Sequence, residues 1–371
     1  MARAAAPVTT GGTYLTYGHD AALRAVARAV QAEHPPHALL LVGPRGVGKT
    51  TLALDLAAGL LCLAGKARER PCRDCPACRK VEANGHPDLH LLEPEGAGEQ
   101  IRLGQVQRLV TDLSLTAMEG RFRLAVISAA QRLNLDAQNA LLKTLEEPGP
   151  ATCLVLCADD AAPLLPTVLS RSARLRLAPM PVESLTHRLV DADLAPPAQA
   201  RALAIAAGGR PGLAMRLATE PEAVLARARI SRTLLELSVA DRRTRLAAAA
   251  ELISDAAVVD AALRGEVAPS SARLQPAERR RAVQLVIDVW RDLGRDLAVA
   301  ARGDGTGIRD LDQLEELRGL AFRVDGPVLH RFLDRLDRLS LAIEGYASPE
   351  LVLDVLLLTW PGPSAPARGA A

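Results

Sequence analysis

Apolar and polar positions change their spacing along this chain, and the change separates a first segment from a second. Up to about residue 178, short apolar runs typical of buried strands alternate with segments in which apolar residues recur every three or four positions. The predicted strands are 38–42, 89–92, 122–128 and 153–158. The predicted helices are 21–30, 50–63, 103–113 and 137–145. This alternation predicts an α/β domain in which a parallel sheet is wrapped by helices.

Strand signals stop near Pro179. From there to Leu358 the chain is rich in Ala, Leu and Arg at helical spacing, which predicts an all-helical region. Within it, segment 208–212 (Gly-Gly-Arg-Pro-Gly) predicts a turn between two helices, and 302–307 predicts a surface loop. The tail 361–371 is rich in Pro, Ala and Gly, which predicts disorder.

The composition limits the classes of protein to which the chain can belong. Its 371 residues exceed what one hydrophobic core usually serves, so several domains are expected. The net charge of +2 is too balanced for a protein that binds nucleic acid over its whole surface, so any such contact is local. Residues 1–12 contain no signal-peptide core, and no stretch of 18 uncharged apolar residues occurs; a cytoplasmic location without a membrane partner is expected.

The first predicted strand runs directly into a glycine-rich segment that opens the next helix. The segment matches the pattern G-x-x-x-x-G-K-[ST] in full, in the strand–loop–helix context that a phosphate-binding loop requires. Its backbone N–H groups would surround phosphates, Lys49 would reach the outer phosphates and Thr50 would ligate Mg²⁺, so ATP with Mg²⁺ is the expected ligand. A loop that keeps this shape without nucleotide stays an open alternative. The candidate nucleotide-binding residues are Gly43, Pro44, Gly46, Val47, Gly48, Lys49 and Thr50.

Hydrolysis of ATP needs a carboxylate at the end of another buried strand, usually followed by a second that activates water. The strand that ends near Ile127 is followed by Ser128 and Ala129, and no acid occurs before Asp136. We therefore expect no ATPase activity from the chain alone. Asp159 and Asp160, after the next strand, could replace these acids, but we interpret them as caps of the following loop.

Four cysteines lie close together in the sequence after the phosphate loop. Cys72, Cys75 and Cys78 have C-x-x-C spacing, and Cys62 lies ten positions before Cys72. Four thiolates are the number that a closed tetrahedral Zn²⁺ site takes, so a structural zinc is predicted, with free or redox-active thiols as the alternative. Cys153 and Cys157 fall on a predicted core strand and are interpreted as small apolar residues.

Several segments resemble the AAA+ subunits of bacterial clamp loaders. They are His86-Pro87-Asp88, the stretch 139–148 (Asn-Ala-Leu-Leu-Lys-Thr-Leu-Glu-Glu-Pro) and the stretch 165–171 (Leu-Pro-Thr-Val-Leu-Ser-Arg). A zinc insertion after the phosphate loop is also characteristic of that family. The resemblance is dense over about 17–177 and thin afterwards. It implies an AAA+ domain at 1–178 with a zinc module at about 62–78, a helical lid at 179–220 and a helical collar at 221–360 that oligomerises.

Within the family, the ATP-hydrolysing gamma/tau type and the delta-prime type are the two choices. Ser128 and Ala129, where carboxylates are missing, favour the delta-prime type, as does the similarity of 348–354 to the last collar helix of that type. The resemblance then implies a hetero-pentamer with gamma/tau and delta subunits, which opens a sliding clamp and places it on primed DNA. Which subunits flank this one, whether ATP is bound or exchanged, and whether the chain itself touches DNA stay open.

The resemblance also assigns a role to Arg171. The family's Ser-Arg-Cys motif supplies an arginine finger to the ATP of an adjacent subunit, and the motif reads Ser170-Arg171-Ser172 here. The guanidinium is kept, so Arg171 is the expected catalytic residue, acting in trans. Glu146 and Glu147 are expected to end a helix, not to take part in catalysis.

Two other functions compete with this one. The first is a hydrolysing clamp-loader ATPase of the gamma/tau type with an unrecognised base. The second is a P-loop kinase acting on a small molecule, which would explain neither the four cysteines nor the Leu-Glu-Glu-Pro stretch.

Overall fold

The computed structural model describes residues 11–95, 100–149, 151–264, 266, 274–302, 314–321, 324–344 and 347–361. These residues divide into two compact units. The first holds the described residues up to Leu185 together with Arg210–Gly212, and the second holds Thr186–Gly209 and the described residues from Leu213 onward. The division into AAA+ domain, lid and collar remains a prediction. Most of the loop predicted at 302–307 and all but Pro361 of the tail predicted at 361–371 lie outside the described residues.

The first unit contains a five-stranded parallel sheet. Its strands are β1 (Ala38–Val42), β2 (Leu89–Leu92), β3 (Arg123–Ile127), β4 (Thr152–Ala158) and β5 (Ala173–Arg176). Their order across the sheet is β2-β3-β4-β1-β5. Its helices are α1 (Asp20–Gln31), α2 (Lys49–Leu61), α3 (Pro76–Glu82), α4 (Leu103–Leu113), α5 (Leu135–Glu146) and α6 (Pro166–Ser170). The predicted parallel α/β sheet is therefore confirmed.

All four predicted strands are present, and the sheet has a fifth strand, β5, that was not predicted. Its sequence is Ala-Arg-Leu-Arg, so it contains no apolar run, and most of its residues are exposed. It pairs with β1 at the edge of the sheet, where one side of a strand needs no partner and polar side chains reach water. The strand β5 therefore forms because it pairs with β1, and its own sequence does not predict this pairing. The short helices α3 and α6 were also missed.

Apolar layers cover both faces of the sheet, which explains why the central strands are continuously apolar. Leu39 and Leu41 of β1 pack on one side with α1 and α2. Ala38 and Leu40 pack on the other side with α4 and α5. Helix α2 thereby lies on the core, with its first turn at the carboxyl end of β1.

The second unit is helical throughout its described residues, as predicted from the spacing after Pro179. Helix α7 (Val182–Asp191) spans the boundary between the two units, and α9 (Pro211–Thr219) also has its first residues in the first unit. The remaining helices are α8 (Pro197–Ala206), α10 (Pro221–Glu236), α11 (Arg242–Ala247), α12 (Ala249–Arg264), α13 (Pro276–Ala300), α14 (Leu314–Ala321), α15 (Gly326–Glu344) and α16 (Pro349–Thr359). The predicted turn at 208–212 joins α8 to α9. In the described part of the chain, no helix combines the length and apolar character needed to cross a membrane.

An aromatic cluster lies in the core of the second unit. The ring centroids of Trp290 and Phe332 are 5.4 Å apart, and those of Phe332 and Trp360 are 4.8 Å apart. Arg245 anchors the end of α16 by donating hydrogen bonds to the carbonyl oxygens of Trp360 (2.6 Å) and Leu357 (3.3 Å). Burial of this guanidinium lowers the pKa of Arg245, while the carbonyl partners satisfy its donors.

Candidate nucleotide and metal sites

The phosphate loop lies between β1 and α2, at the carboxyl edge of the parallel sheet. Gly48 has φ of 108°, in the left-handed region that favours glycine. Gly43 contacts the backbone of Leu177 so closely that a Cβ atom would lie 2.2 Å from its carbonyl oxygen. The 13 residues of α2 begin at Lys49, so the helix directs its free N–H groups and the positive end of its dipole toward the loop. The loop therefore turns into the first turn of α2 at Gly48, and nucleotide binding by the seven predicted residues stays a prediction.

Lys49 is buried in the described structure and points back onto its own loop. Its Nζ donates to the carbonyl oxygens of Gly43 (2.6 Å) and Pro44 (3.1 Å), and to Oδ1 of Asp159 (2.7 Å). The interpretation of Asp159 as a loop cap was wrong, because its carboxylate pairs with Lys49. Asp160 does act as a cap, accepting a hydrogen bond from the backbone N–H of Ala162 (3.0 Å).

The carboxyl end of β3 carries no acid. After Ile127, the Ser128 hydroxyl donates to the carbonyl oxygen of Leu92 at 3.4 Å, and Ala129 has no functional group. A serine hydroxyl cannot act as a general base at neutral pH. The position from which a carboxylate would activate water is therefore occupied by residues that cannot do so.

Two contacts that were not predicted from the sequence hold the loop in shape. His19 Nε2 lies 2.8 Å from the carbonyl oxygen of Val47, and because a carbonyl only accepts, the ring must carry its proton on Nε2. The backbone N–H of Gly212 donates to the carbonyl oxygen of Gly46 at 2.9 Å. The glycine-rich turn before α9 was a signal for the second contact; His19 has no motif around it.

The four predicted zinc ligands meet in the first unit. The Sγ atoms of Cys62, Cys72, Cys75 and Cys78 all lie within 4.8 Å of one another, and two of the pairs are 3.5 and 4.0 Å apart. Tetrahedral Zn–S bonds of about 2.3 Å place neighbouring sulfurs about 3.8 Å apart, so the group fits a zinc ion. Cys153 and Cys157 lie elsewhere, on β4, where burial raises the pKa of each thiol to about 12.

Backbone N–H groups donate to several of these sulfurs, although burial raises the pKa of Cys62 and of Cys78 above the usual range. Cys62 Sγ accepts from the N–H of Ala64 and of Cys72, both at 3.4 Å. Burial acts to raise the pKa of Cys72, but hydrogen bonds from the backbone N–H of Asp74 and Cys75 outweigh it and lower the pKa to about 7. Such a sulfur loses its proton readily when a cation binds.

The cysteine group is tied to the helix that opens at the phosphate loop. Arg73, between two of the cysteines, forms an ion pair with the fully buried Asp55 of α2. Asp55 also accepts hydrogen bonds from the backbone N–H of Leu15 (3.0 Å) and Thr16 (2.7 Å). The carboxylate of Asp55 thus connects α2 both to Arg73, which lies between the cysteines, and to the segment that leads to His19.

Arg171 lies at the amino-terminal end of the parallel strands, whereas the phosphate loop lies at their carboxyl-terminal end. It follows α6 and comes two residues before β5, so it is at the amino end of a strand parallel to β1. With five residues in β1 and about 3.3 Å per residue, the two ends are separated by about 16 Å. Arg171 therefore cannot serve the phosphate loop of its own sheet.

The guanidinium of Arg171 is partly exposed and paired with a carboxylate. Its Nη2 lies 2.7 Å from Oε1 of Glu146, at the end of α5, and its Nη1 donates to the carbonyl oxygen of Thr167 at 3.2 Å. An open groove of about 630 Å³ is lined by these two charged side chains and by His37, Leu145, Ser170, Ser172 and Ala173. Glu146, expected only to end a helix, is thus a partner of Arg171.

Comparisons with known proteins find similar sequences for most of the first unit. A protein family described as DNA polymerase III, delta subunit matches residues 18–181. The DNA polymerase III subunit delta' of Bacillus subtilis is 36% identical over 174 residues, which cover 47% of this chain and 52% of the relative. That of Pseudomonas aeruginosa is 40% identical over 193 residues, 50% of this chain and 57% of the relative. The Escherichia coli subunit tau is 34% identical over 172 residues, 46% of this chain and 26% of the relative.

The chain spans about half the length of the delta' relatives that it matches. The matched region contains the phosphate loop, the four cysteines and Arg171, and the structure around these residues is the parallel sheet that the sequence predicted. Over residues 18–181, the chain is similar to the family described as DNA polymerase III, delta subunit, and to bacterial delta' subunits.

Proposed function

We propose that the chain is a delta-prime-type subunit of a bacterial replication clamp loader, acting in the cytoplasm. In this role it holds ATP without hydrolysing it and offers Arg171 to the ATP of a neighbouring ATPase subunit. Its partners would be gamma/tau and delta subunits in a hetero-pentamer, the sliding clamp and, through the complex, primed DNA. The helical second unit would supply the lid and the collar that holds the ring.

The position of Arg171 is the observation that carries the proposal. A guanidinium at the edge of the sheet far from its own phosphate loop, and open to a groove, can reach a nucleotide only if another chain presents it. Arginine suits this role because its planar, permanently charged group stabilises the charge that develops on a transferred phosphate. Pairing with Glu146 would hold the side chain ready until a more highly charged phosphate competes for it.

The residues of the chain's own nucleotide site support binding without hydrolysis. The loop N–H groups, Lys49 and the hydroxyl of Thr50 would hold the phosphates and a Mg²⁺ ion, which neutralises phosphate charge when bound. Ser128 and Ala129 supply neither a metal-binding carboxylate nor a base. Bound ATP would therefore stabilise the fold of this subunit without being consumed.

The four cysteines would hold one structural Zn²⁺ ion. A site closed by four thiolates leaves no open position for a substrate. The ion would fix the loop that carries Arg73, and through Asp55 it would stabilise α2 behind the phosphate loop.

The test of the proposal uses a reconstituted clamp loader in which Arg171→Ala replaces the native subunit. An arginine finger is worth on the order of a thousandfold or more at the site it serves. We expect DNA-stimulated ATP turnover to fall by the whole share of that one site, with clamp loading reduced and ring assembly intact on size-exclusion chromatography. Arg171→Lys, which keeps the charge but loses the planar fork, should rescue little of the loss.

Arg174→Ala is the matched control, because Arg174 is an exposed arginine on β5, three residues further along. Unchanged turnover in Arg171→Ala, or an equal loss in Arg174→Ala, would reject the finger role. The competing gamma/tau-type function is tested on the isolated chain. ATP turnover that disappears in Lys49→Ala would show that the chain is itself a hydrolase.

A further inference from the structure

Lys49 has no N–H group left for a phosphate in the described structure. An ammonium group has three donors, and those of Lys49 are used by Gly43, Pro44 and Asp159 at 2.6, 3.1 and 2.7 Å. A nucleotide that reaches Lys49 through its outer phosphates must therefore replace at least one of these acceptors. The two carbonyl oxygens belong to the loop itself, so the carboxylate of Asp159 is the acceptor that can leave.

The fold brings Asp159 to this position and holds it there. Asp159 follows β4, whose last residue, Ala158, pairs in register with Val42 at the end of β1. Gln131 fixes the residue from the other side, because its Nε2 donates to Oδ2 of Asp159 (3.1 Å) and its Oε1 accepts from the backbone N–H (3.3 Å). The Asp159 side chain is 44% exposed, so it can turn toward water without opening the core.

A carboxylate 2.7 Å from Lys49 Nζ holds a negative charge beside the place where phosphate oxygens would bind. The carboxylate of Asp159 and the phosphates of a nucleotide would repel one another, and the burial of Lys49 weakens solvent screening of this repulsion. A competing partner lowers the apparent affinity for a ligand by the fraction of molecules in which the site is free. The carboxylate thus affects nucleotide binding both by charge and by occupying a donor.

We propose that Asp159 is a latch that occupies Lys49 in the nucleotide-free subunit and sets the affinity of the loop for nucleoside triphosphate. Binding displaces the carboxylate from Lys49, and loss of nucleotide lets it return. The inference rests on the proposed function of the loop as a nucleotide site, and it deepens that function by naming the group against which phosphates compete.

The experiment measures the dissociation constants of ATP and ADP for the full chain by isothermal titration calorimetry, with Mg²⁺ and with chelator. The variant Asp159→Asn keeps the shape of the side chain and its contact with Gln131 but loses the charge. We expect ATP to bind at least about tenfold more tightly, which corresponds to a latched fraction of about nine in ten molecules. Asp159→Ser is a second variant of smaller volume, for which the same gain is expected.

Asp160→Asn is the matched control, because it removes the same charge from the next residue, which is exposed and caps its own loop. Its effect should be several-fold smaller. In the Lys49→Ala background, Asp159→Asn should give no gain, since the latch has lost its partner.

The possible results separate the latch from the nucleotide site. Equal ATP affinities in the wild type and Asp159→Asn, or equal gains in Asp159→Asn and Asp160→Asn, would overturn the latch and leave the nucleotide site in place. If Asp159→Asn bound ATP more weakly than the wild type in the presence of Mg²⁺ but not with chelator, Asp159 would be a metal ligand. That result would also overturn the latch. A lack of binding by every variant would overturn the nucleotide site and the latch together.

Discussion

A single buried carboxylate, that of Asp88, fixes a turn next to the sheet. It accepts hydrogen bonds from the backbone N–H groups of Met118 (2.6 Å), Glu119 (2.8 Å) and Gly120 (2.7 Å). His86 Nδ1 accepts in turn from the N–H of Asp88 at 3.1 Å. This geometry gives a structural reason for the His-Pro-Asp segment in the sequence, because without the carboxylate three donors at this turn lose their acceptor.

Replacing Asp88 by Asn should therefore destabilise the protein. The amide oxygen is a weaker acceptor than a carboxylate, and its NH₂ group would face N–H donors, so we expect a loss of about 1–3 kcal/mol in the free energy of unfolding. Urea unfolding followed by circular dichroism measures it. Asp112→Asn, at a half-exposed position on α4, should change this free energy by less than about 0.5 kcal/mol. Equal losses in both variants would contradict this role for Asp88.

The same carboxylate predicts a pH dependence. Burial acts to raise the pKa of Asp88, but the backbone N–H donors outweigh it, so the pKa in the folded protein lies below its usual range. A lowered pKa in the folded state means that the stabilisation is fully present above the unfolded pKa of about 3.9 and is lost as pH falls through the folded value. The stability gap between the wild type and Asp88→Asn should therefore stay constant near neutral pH and close in acid.

Among the elements, α1 and α2 make contact through a glycine. A Cβ atom on Gly59 would lie 2.5 Å from Cγ2 of Val30, whereas on Gly104, near the start of α4, it would meet no atom within 4 Å. Helix α2 therefore needs the glycine for close packing, and α4 does not.

These two glycines predict opposite effects of the same substitution. Gly104→Ala should stabilise by about 0.5 kcal/mol through helix propensity and reduced freedom of the unfolded chain. Gly59→Ala should destabilise by about 1–3 kcal/mol because the added methyl collides with Val30. Chemical denaturation of the two variants measures both values. The double variant Gly59→Ala with Val30→Ala should recover part of the loss; stabilisation by Gly59→Ala alone would contradict the predicted collision.

In the whole molecule, the metal site and the tryptophans belong to different units. The four clustered cysteines are in the first unit, and Trp290 and Trp360, the two tryptophans of the chain, are in the second. Tryptophan fluorescence therefore reports the unfolding of the second unit, while a metal stabilises the first, to which it binds.

Removing the metal should lower the stability of the first unit only. The purified protein should contain about one Zn per chain. Chelation should shift the far-UV circular dichroism transition toward lower urea and leave the tryptophan transition in place. Cys75→Ser should lose the metal, and Cys153→Ala, which changes a core cysteine outside the cluster, should keep it. A fully folded wild type without metal would contradict the zinc assignment.

Much of the first unit could be predicted because its signals are local. The apolar run of β1, the glycines of the phosphate loop and the spacing of the cysteines each lie within a short segment, whose chemistry is complete before the chain folds. The helical spacing of apolar residues after Pro179 is also a local signal. Sequence alone therefore determined the fold class, the loop and the cysteine cluster.

Strand order decided the rest. The edge strand β5 exists because its backbone pairs with β1. Asp159 meets Lys49 because β4 and β1 are neighbours in the sheet, although 110 positions separate the two residues. Arg171 faces away from the phosphate loop because it comes before a strand that runs parallel to β1. Such contacts join distant segments through backbone pairing that no local pattern specifies, so only the tertiary structure could show that Lys49 of the phosphate-loop motif forms an ion pair with a carboxylate.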